Sequence, residues 1–209
     1  RIRTGTKTWY RMRPWRGAFS LLGTGAYGPV SATRADALTG TVAVATSFGG
    51  VGKLILSRRT RNERSAPWES ARATLAWAPD GRLVAWWSKA DGTVRRAVTR
   101  DDGRTWTEET MALTGKHAAA AIDPRSGAEV ACAWHAGRWR FRKRTGTVWT
   151  DAGAIPPIGA TDGLTDDTAA GIEFSPRIAG ALEFWFVRGG TLVRAESRDL
   201  GSTWRESST

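Results

Sequence analysis

The chain has 209 residues, with 31 Lys and Arg against 20 Asp and Glu, a formal net charge of +11 and one cysteine. That length can bury one sizeable core, the lone Cys132 excludes an internal disulfide framework, and no eighteen-residue apolar run offers a membrane-spanning helix. The basic excess is mostly arginine and fits polyanionic partners: nucleic acid, acidic glycan or an anionic cell envelope.

In chain order, Arg1-Ile-Arg-Thr-Gly5-Thr-Lys-Thr-Trp9 enters in mid-pattern and is similar to Arg142-Lys-Arg-Thr-Gly146-Thr-Val-Trp149. Beyond it a unit of roughly forty to fifty-five residues recurs. Its second part is the clearest: Gly40-Thr-Val-Ala-Val-Ala-Thr-Ser, Gly81-Arg-Leu-Val-Ala-Trp-Trp-Ser, Gly127-Ala-Glu-Val-Ala-Cys-Ala-Trp and Gly180-Ala-Leu-Glu-Phe-Trp-Phe-Val. Each opens after a turn and runs apolar on both faces, so it reads as a strand covered on both sides. Before three of them stands a strand of small residues, at 73–77, 118–122 and 169–174, suited to a crowded innermost position. The alanines of 118–122 also suit a helix, but the turn that follows at Pro124 matches the one at Pro79 and favours a strand. After the second strand comes a Gly-containing loop, then a third strand.

The third strand leads into a motif that stands twice. Thr99-Arg-Asp101-Asp-Gly103-Arg-Thr105-Trp106 and Ser197-Arg-Asp199-Leu-Gly201-Ser-Thr203-Trp204 both fit [Ser/Thr]-x-Asp-x-Gly-x-Thr-Trp. An Asp that accepts backbone N–H bonds, a Gly free to take positive φ and a Trp that pins the returning strand make a hairpin turn of fixed chemistry. Degraded copies are expected at Ser57 to Trp68, with an insertion, and at Arg142 to Trp149, where Arg144 takes the place of the Asp.

The motif resembles the Asp-box, or BNR repeat, of the sialidase-like β-propeller superfamily. The resemblance implies an all-β propeller of four-stranded antiparallel blades, here a partial ring. The chain then divides into the outer half of one blade at 1–15 and four blades at about 27–69, 72–110, 117–152 and 168–206, as part of a longer protein. The Asp boxes lie on the face away from the active site in that family, so Asp101 and Asp199 are structural rather than catalytic.

With box turns on one face, the loops that enter the first strands and those that join the second strands to the third occupy the other. The first set offers Tyr27, Arg72 and His117, with Asp166 and Asp167. The second offers Phe48, Lys89, His135 and Arg188, each eight places after its hairpin glycine. A ligand on that face meets Phe48, Lys89, His117, His135 and Arg188. The resemblance also implies a hydrolase reading, with Tyr27 as nucleophile, Arg72 as carboxylate clamp and Asp167 as acid/base. Against it, the family's Arg-Ile-Pro signature is absent, Arg177-Ile178-Ala179 being a partial echo, and neither Tyr10 nor Tyr27 has a Glu companion in sequence.

No metal or cofactor is expected. Gly23-Thr-Gly25-Ala-Tyr-Gly28 fits G-x-G-x-x-G but is followed by Pro29 and a strand, and Gly49 to Lys53 lacks the phosphate-loop spacing. Cys132 sits in an apolar run as a packed thiol. Arg138-Trp-Arg140-Phe-Arg142-Lys-Arg144 alternates strictly, which reads as a solvated arginine face backed by aromatics in the interior rather than a nucleic-acid stripe. The expectation is a non-catalytic recognition or attachment propeller that binds an anionic glycan or envelope polymer, on a secreted, cell-surface or virion protein and not membrane-embedded. The alternatives are an exo-acting glycoside hydrolase and a scaffold within a larger assembly such as a phage tail, where other subunits are the partners.

Overall fold

A computed structural model describes residues 2–4, 7–9, 11–12, 19–20, 31–32, 41–48, 51–57, 61–69, 73–154, 171–175, 178, 180–188 and 191–207. Two short hairpins come first, β1 (Ile2–Thr4) with β2 (Lys7–Trp9) and β3 (Arg11–Met12) with β4 (Phe19–Ser20). Four antiparallel four-stranded sheets follow, each in chain order. Sheet one holds β5 (Ser31–Ala32), β6 (Val42–Phe48), β7 (Val51–Ser57) and β8 (Arg61–Ser65). Sheet two holds β9 (Ala73–Trp77), β10 (Leu83–Ser88), β11 (Thr93–Thr99) and β12 (Thr107–Thr114). Sheet three holds β13 (Lys116–Ile122), β14 (Glu129–His135), β15 (Arg138–Thr145) and β16 (Val148–Ala154). Sheet four holds β17 (Gly171–Phe174), β18 (Leu182–Arg188), β19 (Thr191–Ser197) and β20 (Arg205–Ser207).

The second strand of sheet two is apolar on both faces because both faces are covered. In β10 the odd positions Leu83, Ala85 and Trp87 pack towards sheet one, with Leu54, Leu56 and Trp68. The even positions Val84 and Trp86 pack towards sheet three, with Ala131 and Ala133. Side chains alternate across the pleat, so one strand feeds two cores. A third core lies between sheets three and four, where Trp139 meets Phe184 at 5.1 Å and 74° and Phe141 meets Phe184 at 5.2 Å and 85°. The edge-to-face geometry suits the ring quadrupoles. The first strands β5, β9, β13 and β17 neighbour one another in turn. Ala119, Ala120 and Ala121 are buried there, so the alanine run is strand and not helix.

Three local readings are corrected. In the stretch from Ser57 to Trp68 the fourth strand β8 comes before the tryptophan. Trp68 therefore is not a turn residue; it fills the core between sheets one and two, its backbone oxygen so close to Gly52 that a Cβ there would sit 1.9 Å away. In sheet three, Arg144 does not stand at the Asp place. It pairs with Glu129 as Thr99 pairs with Leu83 and Ser197 with Leu182, two places earlier in the motif, because a two-residue turn at Gly146-Thr147 replaces the longer loop. Finally, the arginine face of β15 is exposed at Arg138 but not along its length. Arg142 donates to the Ala112 carbonyl at 2.8 Å and Arg144 to Glu109 at 3.2 Å, both on β12 of the preceding sheet, while Trp139 and Phe141 point the other way into the third core.

Candidate functional site

Meander order sorts the connections into two ends. The turns between first and second strands and between third and fourth strands share one end; the second-to-third hairpins and the links between sheets share the other.

At the first end the two Asp turns match bond for bond. Thr99 Oγ1 donates to Asp101 at 2.8 Å and accepts the Gly103 N–H at 2.9 Å; Ser197 Oγ does the same with Asp199 and Gly201, both at 2.8 Å. Asp101 accepts the Thr105 N–H at 2.9 Å and hydroxyl at 2.6 Å, and Asp199 those of Thr203 at 2.8 and 2.7 Å. The chain passes through positive φ at Asp102 and Gly103 (57° and 76°) and at Leu200 and Gly201 (58° and 84°). Trp106 stacks edge-on with Trp68 at 5.7 Å, and Trp204 lies 4.6 Å from Phe141. The hydroxyl and N–H of Thr105 hold the Asp101 carboxyl down at about 2. Burial works to raise Asp199, but the bonds from Thr203 and Ser197 win and lower it. Carboxylates bound this way keep no proton to donate near neutrality.

At the second end, Phe48 pairs with Val51, His135 with Arg138 and Arg188 with Thr191, while the Lys89 N–H donates to the Thr93 carbonyl. All four therefore occupy one register place, at the mouth of the hairpin in successive sheets. The side chains of Phe48 and Arg188 lie outside the described residues, as do Tyr27, Arg72 and Asp167 entirely. His117 sits at a bulge in β13 with φ of 56°. The neighbouring backbone is stitched to sheet two: the Ala118 N–H donates to Ser88 Oγ at 3.2 Å, Thr74 Oγ1 to the Ala118 carbonyl at 3.3 Å, and the Gly115 N–H to the Gly92 carbonyl at 2.8 Å. A Cβ on Gly115, whose φ is +148°, would meet the Trp134 oxygen at 2.4 Å. On this stitched rim, exposed Lys116 and Arg138 and half-buried His117, His135 and Arg140 cluster at the end of sheet three. Lys89 lies 3.9 Å from Glu69, a solvent-exposed pair of small energetic weight. Asp91 accepts the Thr93 N–H, which lowers its carboxyl.

Sequence reasoning missed two charged constellations. Between sheets two and three, Arg96 makes two bonds to Glu129 at 2.7 and 2.5 Å, both side chains only 3% exposed, and Arg96 and Arg144 converge on Glu109 at 3.2 Å each. On sheet four, Glu173, Glu183, Arg194 and Glu196 border a cavity of about 420 Å³. Arg194 bonds to Glu183 at 2.9 Å and lies 5.5 Å over the Trp185 ring. Comparing repeats column by column shows both, since Glu129 takes the place of Leu83 and Glu183 that of Val84.

Cys132 is buried, and desolvation pushes its thiol up, away from reactivity. Among the described residues no group of three or more His, Cys, Asp or Glu could hold a metal ion, and no helix is long and apolar enough to cross a membrane.

No family model matches the sequence, and no curated protein does. Solved structures do match. A triple arginine-to-alanine mutant of AofleA from Arthrobotrys oligospora aligns with a TM-score of 0.67 at 10% identity, over 86% of this chain and 56% of that one. Aleuria aurantia lectin, in complex with α-methyl-L-fucoside, aligns at 0.65 and 13%, over 91% and 66%. The NanB sialidase of Streptococcus pneumoniae aligns at 0.56 and 15%, over 73% and 26%. The likeness is one of fold. The chain spans between about a quarter and two thirds of the length of these proteins, and its four-stranded sheets have their counterparts among lectins and sialidases.

Proposed function

We propose that the chain is a recognition or attachment propeller segment that binds an anionic glycan or envelope polymer at the rim opposite the Asp turns. The observation that carries this reading is that rim itself, where Lys116, His117, His135, Arg138 and Arg140 gather on backbone held rigid by Gly115 and Ser88. A preorganised cationic surface attracts a polyanion without paying to order itself. The likeness to lectin and sialidase structures supports a glycan as ligand class, and the net charge of +11 supports an anionic one.

In this reading the four sheets are blades at about 27–69, 72–110, 117–152 and 168–206 of a partial ring, with 1–15 the outer half of another. The two Asp turns are Asp boxes, and Phe48, Lys89, His117, His135 and Arg188 face the ligand. The protein acts outside the cell, on a cell surface or on a virion.

Titration of the 209-residue chain with heparin and with a polysialylated glycan tests the reading. Affinity that is measurable at about 0.05 M salt and weakens steeply by about 0.5 M, where the screening length has shrunk severalfold, is the expected result. Absence of binding to both polymers at low salt would sink it. The hydrolase alternative, with Tyr27, Arg72 and Asp167, is checked on the same sample with a fluorogenic sialoside: turnover above blank that Tyr27→Phe abolishes would replace the binding reading with a catalytic one.

A further inference from the structure

The arginine face of β15 changes character along its length. Arg142 donates to the Ala112 carbonyl at 2.8 Å and to the Trp149 carbonyl at 3.0 Å, and Arg144 donates to Glu109 at 3.2 Å. Arg138 and Arg140, further towards the rim, have no side-chain hydrogen bond or ion pair among the described residues, and neither has His135. The reason lies in β12, the strand of sheet two that Arg142 and Arg144 reach. Its acidic residues are Glu108 and Glu109, and from Thr110 to its end at Thr114 it carries none. The acidic side chains of the nearby loops are engaged elsewhere, Glu69 lying 3.9 Å from Lys89 and Asp91 accepting the Thr93 N–H. Pairing register puts the three unpartnered groups on one face, since His135 stands opposite Arg138 and Ala133 opposite Arg140. Side chains directly opposite on one face are about 5 Å apart, and those two places along a strand about 7 Å. The hairpin that brings them together is tight, with Ala136 and Gly137 at φ of 49° and 80°, as a primed two-residue turn requires. Arg138 is exposed, and Arg140 and His135 are half-buried.

Donors left unpaired on a fixed hairpin are ready to meet an anion from outside. Their number and spread decide which anion. A carboxylate offers two oxygens in one plane and is matched by a single guanidinium fork. A sulfate or phosphate ester offers three oxygens in different directions, which two forks and an imidazole N–H on neighbouring strands can meet together. We propose that His135, Arg138 and Arg140 form a subsite for a tetrahedral oxyanion, a sulfate or phosphate ester carried by the bound polymer. The assignment rests on the rim as the binding surface, and it narrows the ligand from polyanions at large to those that bear such esters.

Calorimetric titration of the 209-residue chain with sulfated, phosphorylated and carboxymethylated dextrans of matched charge density, at about 0.15 M salt, tests the subsite. The sulfated or the phosphorylated polymer should bind about tenfold more tightly than the carboxymethylated one, the gain expected from one further charge-assisted hydrogen bond. Whichever of the two binds more tightly names the ester. Arg138→Lys/Arg140→Lys keeps the charge and removes the forks, so its preference for the ester should shrink to about threefold or less. His135→Gln removes the imidazole and should lower the preference as well. Equal affinity of the wild type for all three polymers overturns the subsite and leaves the rim as a general polyanion surface. A preference that both variants retain in full also overturns it, since the ester would then be read elsewhere. Binding to none of the three overturns the subsite and the rim reading together.

Discussion

The acidic residues of this chain divide by what holds them. Asp101 is the clearest, its carboxyl kept at about 2 against an ordinary 3.8 by the Thr105 hydroxyl and N–H. A carboxylate lowered in the fold stabilises it fully above its unfolded value, and the contribution drains away as pH falls from about 4 through about 2. The urea midpoint of the wild type should therefore fall more steeply over that window than that of Asp101→Asn, and parallel curves would show that the turn does not depend on the charge. Arg96 and Glu129 are different, since neither reaches water. Removing Arg96 leaves the buried Glu129 only its longer contact with Arg144 at 4.0 Å, so Arg96→Met should cost up to about 3–5 kcal/mol, while Arg96→Met with Glu129→Leu should recover most of that. Denaturant unfolding of the three variants measures both. A single-variant cost below about 1 kcal/mol would mean that the pair is not buried in solution.

At the scale of elements, glycine placement decides how closely the sheets approach. Gly115 links β12 to β13 with its N–H on the Gly92 carbonyl and no room for a side chain beside Trp134. Gly115→Ala should destabilise by about 1–3 kcal/mol through overpacking and a disfavoured φ. It should also weaken glycan binding by loosening the rim, whereas Gly137→Ala, with nothing within 4 Å, should be felt through φ alone. The second strand of sheet two was legible in the sequence because burial on both faces leaves no polar position from Leu83 to Trp87 to blur the pattern. The turn of sheet three was not. Aligning Arg142–Trp149 backwards from its tryptophan assumes a constant turn length, and the hairpin there is shorter than the Asp turns. The alternation in Arg138–Arg144 showed that the strand has two unlike faces but not what each one meets, which only the position of β12 decides.

For the molecule as a whole, three inter-sheet cores among the described residues hold the repeat together. The sequence placed Lys89 and His135 at equivalent hairpin mouths, because a repeat numbered from its glycines carries its own coordinates. Contacts that pair one sheet's exception with the next, such as Glu129 with Arg96, escaped it because no single repeat contains both.

If the rim opposite the Asp turns binds an anionic glycan as proposed, two variants of equal charge should differ in affinity. Lys116→Glu/Arg138→Glu alters the rim; Arg104→Glu/Arg125→Glu alters exposed turns at the other end of the strands. Calorimetric titration with heparin at about 0.05 M salt, where the screening length exceeds about 10 Å, compares them. The rim variant should lose about tenfold or more in affinity and the other should change little, since attraction between charges fades beyond that length. Equal losses in both, or a larger loss at the Asp-turn end, would contradict it.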